Sequence, residues 1–427
     1  MVRYVLSVSR SIKCASFARF ISAGLILGTF ASLVYSQSTQ SQKPLEIFIL
    51  AGQSNMQGHA NIKTIPTMES DPKTRGMLKD ILKPNGQPRL IKNVWIASIG
   101  CGGNEYNDLI SVDGQLTTGF GASRTEIGTE LTFGIYMEKA LHQPILIIKT
   151  SWGGRSLMTD FRPPSAGPRV YGSYIRNQWK ARGLNPDQEI EKTNAQCGVY
   201  YKDMMDYVHH VLNHLDRYDP QYNPRVGYRL GGFVWFQGFN DMIDGWSYPH
   251  RMQPGGYSQY KSLLVDLIHD VRLSLKAPKL PFVIGVMGVD GNPAGQKPPQ
   301  KYFREAEVYP STLSQFKGNV VAVHTAHFWD DHLYELVQRK DRLRQKVNAL
   351  IKLHPDWSPK QKRQSYDQAK AIEFTPKELE ELQEASNGDY HYLGAAKIIA
   401  PIGKAFADAM IGMERHSPKP RIRGQMK

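Results

Sequence analysis

The chain has 427 residues, of which 41% are hydrophobic and 22% charged, and a net charge of +14 at neutral pH. That balance excludes a disordered or fibrous polypeptide and supplies a sizeable core, in one α/β domain with insertions or in two domains. Nor is the charge a nucleic-acid footprint: four excess cations lie in residues 1–36 and five in 415–427, both free of acids, which leaves +5 for the body.

Residues 1–36 place Arg3, Arg10, Lys13 and Arg19 around and before an apolar run at 20–35, with small residues after it. This is the pattern of an export signal and predicts a secreted or periplasmic protein with no membrane attachment after cleavage. The run of 16 residues is shorter than the ~20 a bilayer span needs, and an uncleaved anchor is the alternative. A polar linker follows at 37–44. Cys14 precedes the apolar run, so Cys101 and Cys197 are the cysteines of a mature chain and are free to pair in an oxidising compartment.

Residues 47–50 form a strand-length apolar run that empties into Ala51-Gly52-Gln53-Ser54. A serine therefore stands where a buried strand breaks into a turn or helix. Unpaired N–H groups at the start of that helix suit a developing negative charge, whereas the ordinary reading of Ser54 is an N-cap. Residues 59–92 read as loop with a little helix, 94–97 as a second strand, and 100–129 as a glycine-rich stretch. A helix is predicted over 130–141 and a strand covered on both faces over 144–150, ending in Ser151-Trp152-Gly153-Gly154-Arg155. Residues 160–196 read as a loop that carries Tyr171, Tyr174 and Arg176.

A helix over 200–215 precedes a strand at 232–236 and the turn Gln237-Gly238-Phe239-Asn240-Asp241. Next come a helix at 257–275 and strands at 281–287 and 320–324. Residues 333–386 read as a helical insertion, with Thr375 and Glu378 in a capping box and Asn387-Gly388 as a stop signal. Asp389-Tyr390-His391 and a last helix at 394–413 precede the basic tail, 414–427. Alternating strands and helices with apolar runs predict a parallel sheet covered on both faces, with ligands beyond the carboxyl ends of its strands.

Serine chemistry needs a base, a group to orient it and oxyanion donors. His391 is the best of thirteen histidines because Asp389 stands two residues away in a junction between helices. The pair His210/His214 and the set His324/His327/His332 lack the cysteines or carboxylates of a metal site.

Gly52-Gln53-Ser54-Asn55-Met56 after a strand, Trp152-Gly153-Gly154, Gln237-Gly238-x-Asn240-Asp241 and Asp389-x-His391 together resemble the SGNH hydrolases, in particular the carbohydrate esterases grouped with sialic-acid-specific acetylesterases. The similarity spans roughly residues 45–410. It implies a three-layer α/β/α, flavodoxin-like domain over 45–413 that removes acetyl groups from sugars or polysaccharides with no metal or cofactor. It also implies Ser54 as nucleophile and His391 as base, with Ser54, Gly153 or Gly154 and Asn240 in the oxyanion hole. Gln53, Asn55, Gln237 and Arg155 border these turns and are candidates for substrate contact, and Tyr171, Tyr174 and Arg176 of the loop 160–196 are candidates to flank the sugar. Two departures stand out. Asp389 is two residues before the histidine where the family has its acid three before, and Phe239 stands where close relatives have a glutamate. Asp241, Asp330 or no acid at all are therefore alternatives to Asp389. A catalytically weak carbohydrate binder and a lipase or thioesterase on the same fold are the rival functions.

Overall fold

The computed structural model describes residues 43–100, 109–292 and 297–414. The export signal, nearly all of the linker and of the basic tail, and Cys101 with its pairing to Cys197 lie outside them.

Seven strands form one sheet: β1 (Leu45–Gly52), β2 (Val94–Ile99), β3 (Ser111–Gln115), β4 (Ile145–Ser151), β5 (Tyr228–Phe236), β6 (Phe282–Val286) and β7 (Val320–His324). Their order is β3-β2-β4-β1-β5-β6-β7. Only the β2–β3 pairing is antiparallel. The five strands β4-β1-β5-β6-β7 follow the flavodoxin-like 2-1-3-4-5 order, with β2 and β3 added at one edge.

Every residue of β1 and β4 is buried, which accounts for their unbroken apolar runs. Adjacent residues of β5 show the two helical layers. Trp235 packs edge-on against Phe161, and Phe236 meets Phe406 of the helix Ala396–Glu414 on the other face. That helix lies along the helix Thr129–Leu141, whose Phe133 meets Phe48. The opposite layer holds the helices Val199–Leu212, Ser258–Ser274 and Pro298–Thr312. Among the described residues no helix is long and apolar enough to cross a membrane.

Three elements differ from the sequence expectations. The edge strand β3 lies in the glycine-rich stretch, and its half-exposed residues give it no apolar run. The expected loop 160–196 contains the helices Ser173–Ala181 and Pro186–Asn194, where Tyr171, Ile175 and Trp179 form a small cluster apart from the main core. The helix Pro298–Thr312, with Pro310 inside it, is not evident in the sequence. The insertion comprises the helices Asp331–Leu353, Pro359–Glu373 and Pro376–Glu381, and the Thr375/Glu378 capping box is formed.

Candidate active site

Sheet register brings the motifs together. Gly52, the last residue of β1, pairs with Ser151 of β4 on one side and Phe236 of β5 on the other, so three turns leave the sheet side by side at its carboxyl edge. Gly52 is required there because a Cβ would lie 2.1 Å from the Phe236 carbonyl oxygen. Ser54 opens a single helical turn, Ser54–Gln57, with Gln53 rather than Ser54 at the N-cap position and no side-chain cap. The N-cap reading of Ser54 is thereby set aside.

Beneath this turn the buried Lys149 Nζ donates to the Gln57 carbonyl at 2.6 Å, the Phe120 carbonyl at 2.7 Å and Glu130 Oε2 at 2.8 Å. Both members of this ion pair are 0% exposed. Two charges out of water persist only when their remaining groups are hydrogen-bonded, and Glu130 Oε1 accepts from the Gly128 N–H at 2.8 Å. Ser54 itself is 7% exposed. Its Oγ and N–H have no hydrogen-bond partner among the described residues.

The second and third turns close round the serine. Trp152 N–H donates to the Gly52 carbonyl at 3.2 Å, and the N–H groups of Gly153 and Gly154 are unpaired among the described residues. Gln53 Nε2 donates to Asn240 Oδ1 at 2.7 Å, which leaves the Asn240 amide nitrogen as its free end. Gln53 Oε1 accepts from Gln237 Nε2, Gly238 N–H and Asn240 N–H at 3.1–3.3 Å. The carboxylate of Asp241 accepts from Leu157 N–H at 2.8 Å, Met158 N–H at 3.0 Å, Gln237 Nε2 at 2.7 Å and Tyr248 OH at 2.8 Å. Burial pushes its acid up to about 6 against these four donors.

These contacts correct several expectations. Gln53, Asn55 and Gln237 are buried, and Gln53 and Gln237 bond the first and third turns to each other. Asn55 Nδ2 reaches only Met287 Sδ, at 3.9 Å. Asp241 joins the second turn to the third and is not turned to a histidine. Arg155 is half-buried over the Tyr200 ring at 4.2 Å and pairs with Asp160 at 3.4 Å.

The histidine arrives on a strained segment. His391 has φ −114° and ψ 35°, and Tyr392 and Leu393 follow with left-handed φ of 51° and 60°. Such conformations cost about 1–3 kcal/mol each in ordinary residues and need anchoring. The anchor is Tyr392, fully buried, whose OH accepts from the Gly288 N–H at 2.7 Å and lies 2.7 Å from Thr325 Oγ1. This segment packs against the Ser54–Gln57 turn.

His391 Nδ1 lies 3.0 Å from Asn387 Oδ1, which also accepts the Gly388 N–H at 2.7 Å. The second bond identifies that atom as the amide oxygen, so Nδ1 carries the proton and Nε2 the lone pair, the tautomer a base toward Ser54 requires. Asp389 does not hold this nitrogen: its Oδ1 caps the Tyr390 N–H at 2.8 Å. Asp330 is likewise committed elsewhere, capping Leu333 N–H at 2.9 Å and pairing with Lys397 at 2.5 Å. Burial drives the His391 imidazole down to about 3; the neighbouring His59 adds to this and Glu126 opposes it. His59 stacks on His391 with ring centroids 4.0 Å apart and planes at 7°.

The half-exposed Tyr390 lies 4.4 Å from the His391 ring, and Phe239 stands 6.1 Å from Tyr390, ring to ring. Of the loop residues expected to flank a sugar, Tyr171 is buried against Trp179, Arg176 pairs with Asp187 and Tyr174 is exposed. Asn387, His59, Glu126 and Lys149 were not evident as site residues. A signal for two of them was present: Asn387 closes the stop pair Asn387-Gly388, and His59 follows the serine by five residues. Among the described residues no group of three His, Cys, Asp or Glu side chains is arranged to hold a metal ion.

A family model described as carbohydrate esterase, sialic acid-specific acetylesterase matches residues 44–334. No curated protein matches the chain. Among solved structures, a carbohydrate acetylesterase from Xanthomonas citri is 14% identical with a TM-score of 0.38, over 66% of this chain and 51% of that one. The chain thus spans about half the length of that protein. A protein from Arabidopsis thaliana is 18% identical with a TM-score of 0.34, over 66% of this chain and 86% of its own.

Proposed function

The chain belongs to the sialic acid-specific acetylesterase family of carbohydrate esterases, and from that premise we propose that it removes O-acetyl groups from sugars or polysaccharides, of the acetylxylan or sialic-acid type, by a serine–histidine mechanism. The observation that supports this reading is the common level of Gly52, Ser151 and Phe236, from which the turns carrying Ser54, Gly153–Gly154 and Asn240 leave neighbouring strands.

His391 Nε2 takes the Ser54 Oγ proton as Oγ attacks the acetyl carbonyl carbon. The Ser54 and Gly153 N–H groups and the Asn240 amide bind the oxyanion, Gly154 standing next in the same turn. The sugar alcohol leaves with the proton from His391. Water, deprotonated by the same nitrogen, then releases acetate and restores Ser54. The substrate is met outside the cytoplasm, after export directed by residues 1–36.

The test is Ser54→Ala assayed on 4-nitrophenyl acetate and on acetylated xylan and sialic acids. A loss of about a thousandfold or more is expected, and a variant as fast as the parent overturns the reading. One observation favours a second reading, a carbohydrate binder with weak turnover: the base has an amide where a carboxylate is usual. Labelling of Ser54 by an active-site phosphonate supports the enzyme, and glycan retention without labelling supports the binder.

A further inference from the structure

His391 is oriented by a neutral amide, which fixes the tautomer but supplies no charge to an imidazolium. A carboxylate reaches it another way. His59 lies flat on the His391 ring, and its Nδ1 is 3.5 Å from Glu126 Oε1, with both side chains less than a fifth exposed. We propose that Glu126, acting through His59, is the anionic member of this site: a positioning pair that holds the plane of His391 and steadies the positive charge formed on it in the transition state. This rests on the esterase reading above.

The backbone round the pair serves this placement. Ala60–Asn61 and Glu126–Ile127 form a two-residue antiparallel ladder separate from the main sheet, with Asn61 opposite Glu126. It forms only because Gly58 and Gly128 meet: a Cβ on Gly58 would lie 2.0 Å from Gly128 Cα. Ser386, on the His391 side, ties the same strand down through Asn61 N–H at 3.0 Å and the His59 carbonyl at 3.4 Å. Burial raises the Glu126 acid, but hydrogen bonds from His59 and Ser123 and the charges of His59 and His391 bring it below its ordinary value, so the carboxylate stays ionised. Whatever the protonation of His59, the pair is one unit more negative than His59 alone. His59 face to face with His391 opposes its protonation, and Glu126 offsets part of that opposition.

The experiment uses the purified full chain, with Ser54→Ala as reference. Glu126→Gln is expected to lower kcat about ten- to hundredfold with KM within about twofold, and Glu126→Asp to recover part of the loss. His59→Phe keeps a stacked ring but cuts the link to Glu126, and should lower kcat comparably. The double variant should be no slower than the slower single, as expected of residues that act as a unit. A Glu126→Gln enzyme with kcat within about twofold of the parent overturns the proposal, as do additive losses in the double variant. Should Glu126→Gln fail to fold, His59→Phe decides, and an unchanged kcat there overturns it. If Ser54→Ala is as active as the parent, the esterase reading falls and this one with it. If Ser54→Ala is inert while Glu126→Gln is unaffected, only the present inference falls.

Discussion

The serine side and the histidine side of the cleft are built on different principles. Ser54 stands one residue beyond a fully buried central strand, in a regular helical turn, and its place follows from sheet register, the Gly52 close approach and the Lys149–Glu130 pair below. His391 has no strand behind it. It sits in a turn with two non-glycine residues in left-handed conformations, pinned from within by Tyr392 and from outside by Ser386. A serine hung on the sheet inherits the rigidity of the core, whereas a histidine hung on a loop depends on a few local contacts. The first arrangement spreads its stability over many residues, and the second concentrates it.

The largest expected effect tests the serine side. Lys149→Met leaves Glu130 buried without its cation and should cost about 3–5 kcal/mol of stability, read from urea unfolding midpoints. A loss under about 1 kcal/mol would show the turn to be held by register alone. Next, Asn240→Ala removes one oxyanion donor and should lower kcat about 100- to 1,000-fold, with about 1–3 kcal/mol of stability lost because the buried Gln53 Nε2 is left without its acceptor. If kcat were unchanged, the third turn would hold only structure.

The smallest effect tests the histidine side through pH. An unfolded imidazole takes up its proton near 6.5, whereas His391 in the fold resists until about 3. Between those values the folded chain binds fewer protons, so stability is full above 6.5 and falls as the pH drops, by about 2 kcal/mol from pH 7 to 5. His391→Gln should remove that share of the pH dependence, measured as the difference between unfolding midpoints at the two pH values. An unaltered difference would mean that His391 titrates freely in the fold.

This contrast explains what the sequence made visible. The sheet strands except β3, the place of Ser54 at a strand end and the three turns are legible because buried parallel strands need continuous apolar runs and because their ends carry glycines that permit close approach. The order of partners round His391 is not. Asp389 is nearer in sequence than Asn387, yet the left-handed bend turns the carboxylate onto its own backbone and presents the amide. Glu126 is 265 positions from His391 and touches it only through a second ring, a juxtaposition that no local pattern announces. Gln53 and Gln237 look like substrate ligands in a motif, and the bond between their buried side chains, which joins two turns, is not visible in it.

The position of β4 has a consequence for how the molecule comes into being. It lies between β2 and β1, although both precede it along the chain. A nascent chain that has emerged as far as β2 therefore already contains the serine, but the lysine that clasps the turn is still to be made. Pairing β1 with β2 at that stage would leave no room for the strand that carries Lys149. Ser54 is thus written early, and the strand that supports its turn must take its place between two neighbours made before it, a non-local pairing of the kind that slows sheet assembly.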